Sequence, residues 1–175
     1  AEKKAMQAIS ETALASAVVV EIVPQMDGVE EPITRFMSEK CPNCGNYHSS
    51  GMSKYISAER SLFLAGYMIA PDAVISADIG LNPENIKSVK VLRKGKSVAA
   101  SFDGVYEDQA AMRFKLSGDL AGVQPAVVSA KAGKPERSVV VTQSKWGAVD
   151  EVVATAASAT GETMLTEDGK APRGF

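Results

Sequence analysis

The sequence predicts a mainly β protein with one N-terminal helix, and three patterns carry that expectation. Short β-branched or alternating runs recur from Val18 to Thr166 with turn residues between them. No run of strands alternates with long helices, and nothing repeats at a period of about 20 to 50 residues. Antiparallel barrels fit such a pattern; parallel α/β and solenoid architectures do not.

Residues 2 to 15 carry Met6, Ile9, Ala13 and Leu14 at helical spacing among polar residues, which predicts an amphipathic helix. It runs into Val18-Val19-Val20-Glu21-Ile22-Val23, a strand stopped by Pro24. From there to about Tyr55 the chain holds Pro32, Pro42, Gly45, Gly51 and both cysteines without sustained periodicity, and reads as a long insertion loop. Leu62 to Ile69, a Pro71-Asp72 turn and Val74 to Ala77 form the next strands. Ile86 to Leu92 and Val98 to Phe102 flank Arg93-Lys94-Gly95-Lys96, expected as a solvated hairpin tip. Met112, Phe114 and Leu116 then alternate with Arg113 and Lys115 as in a half-buried strand. Beyond a loop around Gly118 to Gly133, Ser138 to Thr142, Ala148 to Ala157 and Thr163 to Thr166 predict a second β lobe. The divisions are therefore a helix and first strand over 1–23, an insertion over 24–60, a first barrel over 61–118 and part of a second over 119–175.

The 175-residue length suffices for two small packed lobes. With 45% hydrophobic and 23% charged residues, the composition is that of a folded globular chain. Its net charge of -2 is spread along the sequence with no basic block, which argues against nucleic acid as a partner. No uncharged apolar run reaches the roughly 18 to 20 residues of a membrane-spanning helix. The start at Ala1-Glu2-Lys3-Lys4 fits either a chain that begins just after a removed signal peptide or one simply trimmed there; on the first reading the expected location is periplasmic or secreted.

Cys41-Pro42-Asn43-Cys44-Gly45 has the form of a knuckle in which two thiolates grip zinc, and His48 is near enough in sequence to be a third ligand. A structural zinc site takes four ligands, so Glu39, a water or a second copy of the chain would have to complete it. A local disulfide and a redox pair are the other readings of the spacing. No strand-helix-strand pattern surrounds the motif to favour the redox one. Trp146, beside Gly147, is expected to pack at a barrel edge with its indole N–H partnered.

The stretch from Leu64 to Asp78, Leu-Ala-Gly-Tyr-Met-Ile-Ala-Pro-Asp-Ala-Val-Ile-Ser-Ala-Asp, resembles a segment of trypsin-like serine proteases of the HtrA/DegP type. That segment reads Gly-x-Gly-Phe-Val-Ile-x-x-x-Gly-x-Ile-Leu-Thr-x-x-His. Ile86 to Leu92, Lys94-Gly95-Lys96 and Val98-Ala99-Ala100 are similar to the family's next hairpin. Asp108 to Leu116 looks like its Asp-x-x-x-Asp-Leu-Ala-x-Leu-Lys-Leu segment, and Leu165 to Phe175 is similar in position to its Ser motif. The resemblance covers roughly 60–175 and implies a trypsin-like double β-barrel, its second barrel incomplete at Phe175. Truncation, or a second chain or second copy supplying the missing strands, would account for that end.

The resemblance puts Asp78 at the catalytic His position, Gln109 (or Asp108, one residue earlier) at the Asp position and Phe175 at the Ser position. A hydroxyl attacks a carbonyl only when an adjacent imidazole takes its proton and a carboxylate orients that imidazole. Asp78 cannot serve as the imidazole, Phe175 offers no nucleophile, and the sole histidine of the chain, His48, lies ahead of the strand that would carry it. The expectation is a non-catalytic domain that binds a peptide or protein partner. An active HtrA-like endopeptidase, with a triad elsewhere or completed past residue 175, is the alternative, and a zinc-knuckle interaction module is the third reading. In a structural role, Asp78 would be a strand-end turn residue.

Overall fold

The computed structural model describes residues 2–25, 43, 61–106, 111–127, 137–143, 152–160 and 163–166. Helix α1 (Glu2–Ser16) leads without a break into β1 (Ala17–Pro24). β2 (Leu62–Ala70), β3 (Ala73–Ala77), β4 (Ile86–Arg93), β5 (Lys96–Tyr106) and β6 (Ala111–Leu116) complete a closed antiparallel barrel in the order β1-β2-β3-β6-β5-β4. β7 (Arg137–Gln143), β8 (Val152–Thr160) and β9 (Thr163–Thr166) form a separate three-stranded antiparallel sheet. The fold is mainly β, as its sequence predicts.

Alternation decides what fills the barrel. Val18, Val20 and Ile22 of β1 point inward with Leu62, Leu64 and Met68 of β2, Val89 and Val91 of β4, and Met112, Phe114 and Leu116 of β6. Phe102 meets Phe114 edge to face, ring centres 6.1 Å apart. On β6 the period-2 pattern that marks Met112, Phe114 and Leu116 in the sequence is thus the pattern of the core. β5 is longer at both ends than Val98 to Phe102 predicts, and β8 lies further along the chain than Ala148 to Ala157. β1 is a barrel strand, paired with both β2 and β4.

The helix departs from expectation in one respect. Met6, Ser10, Ala13 and Leu14 form its half-buried row, while Ile9 stands off that row at 51% exposure. A second departure concerns the β4–β5 turn. Lys94 and Gly95 take positive φ angles of 47° and 75°, the pair of left-handed residues that a two-residue hairpin requires, and both are exposed. Arg93 is not part of a solvated tip: it is half-buried, and its guanidinium donates to the carbonyls of Leu14 and Ala17.

No helix among the described residues is long and apolar enough to cross a membrane.

Candidate functional site

Strand directions sort the connections between the two ends of the barrel. One end carries the tight β2–β3 and β4–β5 turns. The other receives the longer connections between Pro24 and Leu62, between Ala77 and Ile86, and between Tyr106 and Ala111. A scaffold that gathers its long connections at one end gives side chains there the most freedom to form a site.

Asp78 follows the last residue of β3 at this end. Ala77 pairs with Ala111, and Ala111 pairs with Tyr106 on its other side, so the ends of β3, β6 and β5 lie side by side. The half-buried Asp78 accepts a 2.7 Å hydrogen bond at Oδ1 from the backbone N–H of Gly80. This is an Asx turn, in which an aspartate side chain mimics a backbone carbonyl and starts a reversal. Gly80 has φ 74°, in the left-handed region glycine enters without a Cβ penalty. The turn drives Ile79 and Leu81 into the core, at 3% and 0% exposure. The hydroxyl nearest in sequence, that of Ser76, is buried and points to the Ala77 carbonyl at 3.5 Å, the limit of a hydrogen bond.

After Asn82, a short 3-10 turn over Pro83–Asn85 returns the chain to β4. Asn85 is fully buried and ties this connection to the end of β1. Its Nδ2 donates to the Gln25 carbonyl at 3.2 Å, its own carbonyl accepts from the Gln25 N–H at 2.7 Å, and its Oδ1 has no hydrogen-bond partner. Asn82-Pro83 is a turn-initiating dipeptide legible in the sequence; the burial of Asn85 is not.

On the outer barrel surface, Arg113 of β6 stands 2.9 Å from Asp103 through Nε and donates from a terminal nitrogen to the Tyr106 hydroxyl at 3.0 Å. The Asp103 approach is a charge contact without hydrogen-bond alignment. The Tyr106 hydrogen bond, followed by neighbouring charge, raises the Arg113 pKa above its ordinary value. Arg113 therefore stays a cation at any physiological pH, holding Tyr106, one of three exposed large hydrophobic side chains among the described residues.

Of the candidate site residues read from the sequence, Asp78 alone is among the described residues. Gln109, Asp108, Phe175, Cys41, Cys44, His48, Glu39 and Trp146 lie outside the described residues. Among the described residues no three His, Cys, Asp or Glu side chains gather as metal ligands would.

No protein-family model and no curated protein matches this chain. Among solved structures it is similar to the active form of the Rv3671c protease from M. tuberculosis, at 15% identity and a TM-score of 0.51, over 85% of this chain and 49% of that one. It is also similar to the serine endoprotease from Yersinia pestis, at 10% identity and a TM-score of 0.46, over 98% of this chain and 55% of that one. The chain thus spans about half the length of each. With a closed six-stranded barrel, a further antiparallel sheet and this likeness to the first protease, the chain has a trypsin-like protease fold.

Proposed function

We propose that the chain is a non-catalytic domain of trypsin-like fold that binds an extended peptide or a protein partner, and that it acts in the periplasm or after secretion. One observation carries the reading. Asp78, at the position that the resemblance gives to the catalytic histidine, is a carboxylate already engaged in an Asx turn with Gly80. A carboxylate is a far weaker base than an imidazole toward a hydroxyl at neutral pH. The composition supports the same reading, since the only imidazole in the chain belongs to His48, in the segment between β1 and β2. Binding without cleavage would use main-chain hydrogen bonds from a strand edge or from the cleft between lobes, a mode that needs no triad.

A serine-reactive fluorophosphonate probe, applied to the chain and to a longer form of the protein if one exists, tests this. No covalent adduct by intact mass is the expected result. A stoichiometric adduct on a serine of this chain would overturn the proposal in favour of an active endopeptidase.

Cys41, Cys44 and His48 carry a separate proposal, a zinc knuckle whose fourth ligand is Glu39, a water or a second copy of the chain. Two cysteines two residues apart, followed by a histidine, supply the soft donors that zinc selects. Freshly purified protein should contain about one zinc per chain, lost on mild chelation. Metal-free protein with both thiols oxidised to a disulfide would refute it.

A further inference from the structure

The C-terminal carbonyls of a helix have no partner within the helix, and α1 has no basic residue in its last turn to satisfy them. The barrel supplies the missing donors. Arg93, the last residue of β4, sends one guanidinium nitrogen to the carbonyls of both Leu14 and Ala17. Gln124, on the segment that leaves β6, donates its backbone N–H to the Ala15 carbonyl at 3.0 Å. Two residues later Ala126 donates to the Met68 carbonyl of β2 at 2.7 Å, so the same segment is bonded to both the helix and the barrel.

A second observation concerns what lies beside this junction. Ala17 and Val19 of β1 and Ala65 of β2 do not belong to the barrel core, yet they are 0%, 0% and 7% exposed. Val19 pairs with Ala65 on one side and with the partly buried Leu92 on the other, so these residues form a row across the outer surface of three strands. Besides their barrel neighbours, β1 is approached by β8 and β2 by α1 and β7, and α1 itself packs against β7 and β8. The helix therefore packs where the second sheet meets the barrel, with its end held by Arg93.

We propose that Arg93 is a lock that fastens α1 across the barrel and the second sheet, so that helix release and separation of the sheet from the barrel are one event. The inference is independent of whether the domain binds peptides or cleaves them. A cation held by a carbonyl of the last helical turn and by the first carbonyl of the following strand is favoured both as a hydrogen-bond donor and by the helix dipole. Burial lowers the Arg93 pKa, but a guanidinium keeps its proton at physiological pH, so the lock does not titrate there.

Hydrogen exchange on the whole chain, read peptide by peptide, tests the lock. Arg93→Met keeps the aliphatic stem and removes every donor. It should speed exchange roughly tenfold or more in α1 and, to the same extent, in 137–143 and 152–160, while β5 and β6 amides keep their protection. Arg93→Lys retains a cation and donors and should restore most of the protection. Gln124→Pro removes the Ala15 bond through a residue whose side chain is exposed, and should loosen the same three segments, giving an independent reading if Arg93→Met does not fold. Two outcomes overturn the proposal: loosening of α1 with 137–160 unchanged, which makes Arg93 a helix cap only, or a uniform rise over the barrel, which makes it an ordinary stabiliser.

Discussion

Gly66 shows how one missing carbon sets a strand spacing. It lies on β2, opposite Val18 of β1 and Ser76 of β3. A Cβ built there would meet the Ile75 carbonyl oxygen at 2.9 Å and the Val20 side chain at 3.0 Å. The first contact is with backbone, so a larger residue must push β2 and β3 apart. Gly66→Ala should destabilise the barrel by about 1–3 kcal/mol, seen as a lower urea midpoint with an unchanged slope. A change below about 0.5 kcal/mol would show that the pair can move freely. Gly66 was visible in the sequence as part of a family-like segment, but its crowding depends on Val20, 46 positions earlier in the numbering, and on Val74. Arg93 was less legible still. Beside Lys94, Gly95 and Lys96 it looks like one more hairpin cation, and only the arrival of the helix end above β4 separates its role from theirs. Asn85 is a similar case: no local pattern distinguishes a polar turn residue in water from one sealed beneath the end of β1.

At the scale of elements, alternation was informative where one face is buried and silent where both are. Met112, Phe114 and Leu116 could be assigned inward from the sequence because Arg113 and Lys115 separate them, and the structure buries all three at 0%, 0% and 4% exposure. β1 has no such alternation over Ala17 to Val20, because its outer face is covered as well. A run buried on both sides reads as a strand but does not say which side is the barrel interior. The interior itself rests on aromatic packing between β5 and β6. Phe114→Ala would remove the ring that Phe102 meets edge to face, and should cost about 3–5 kcal/mol, measured by chemical or thermal unfolding. A loss near 1 kcal/mol would mean that the barrel collapses around the gap. Helix α1 marks the limit of periodicity at this scale: Ile9 fits an apolar stripe by spacing, yet Ser10 occupies the buried row, because the rotation of a helix on its support is set by its anchors. Here those anchors are Arg93 and the Gln124 N–H at one end.

For the whole molecule, the closed barrel requires β1 to pair with both β2 and β4, which brings Val19 to Ala65 and Leu92. The same closure gathers the long connections at one end, next to Asp78, and puts Arg93 with the helix end at the other. If the second sheet depends on α1 for its attachment, thermal unfolding followed by exchange should lose 137–160 together with α1 and before β3, β5 and β6. The Arg93→Met variant widens that interval if the lock operates as inferred.

The sequence by itself determined the strand-rich class, the N-terminal helix and the inward set on β6, because each follows from the period of a helix or of a strand. Barrel closure, the outer row of Ala17, Val19 and Ala65, the burial of Asn85 and the seating of Arg93 on α1 were decided only by tertiary structure. These depend on residues far apart in the chain meeting in space, and local pattern records which face of an element is apolar, not what comes to cover it.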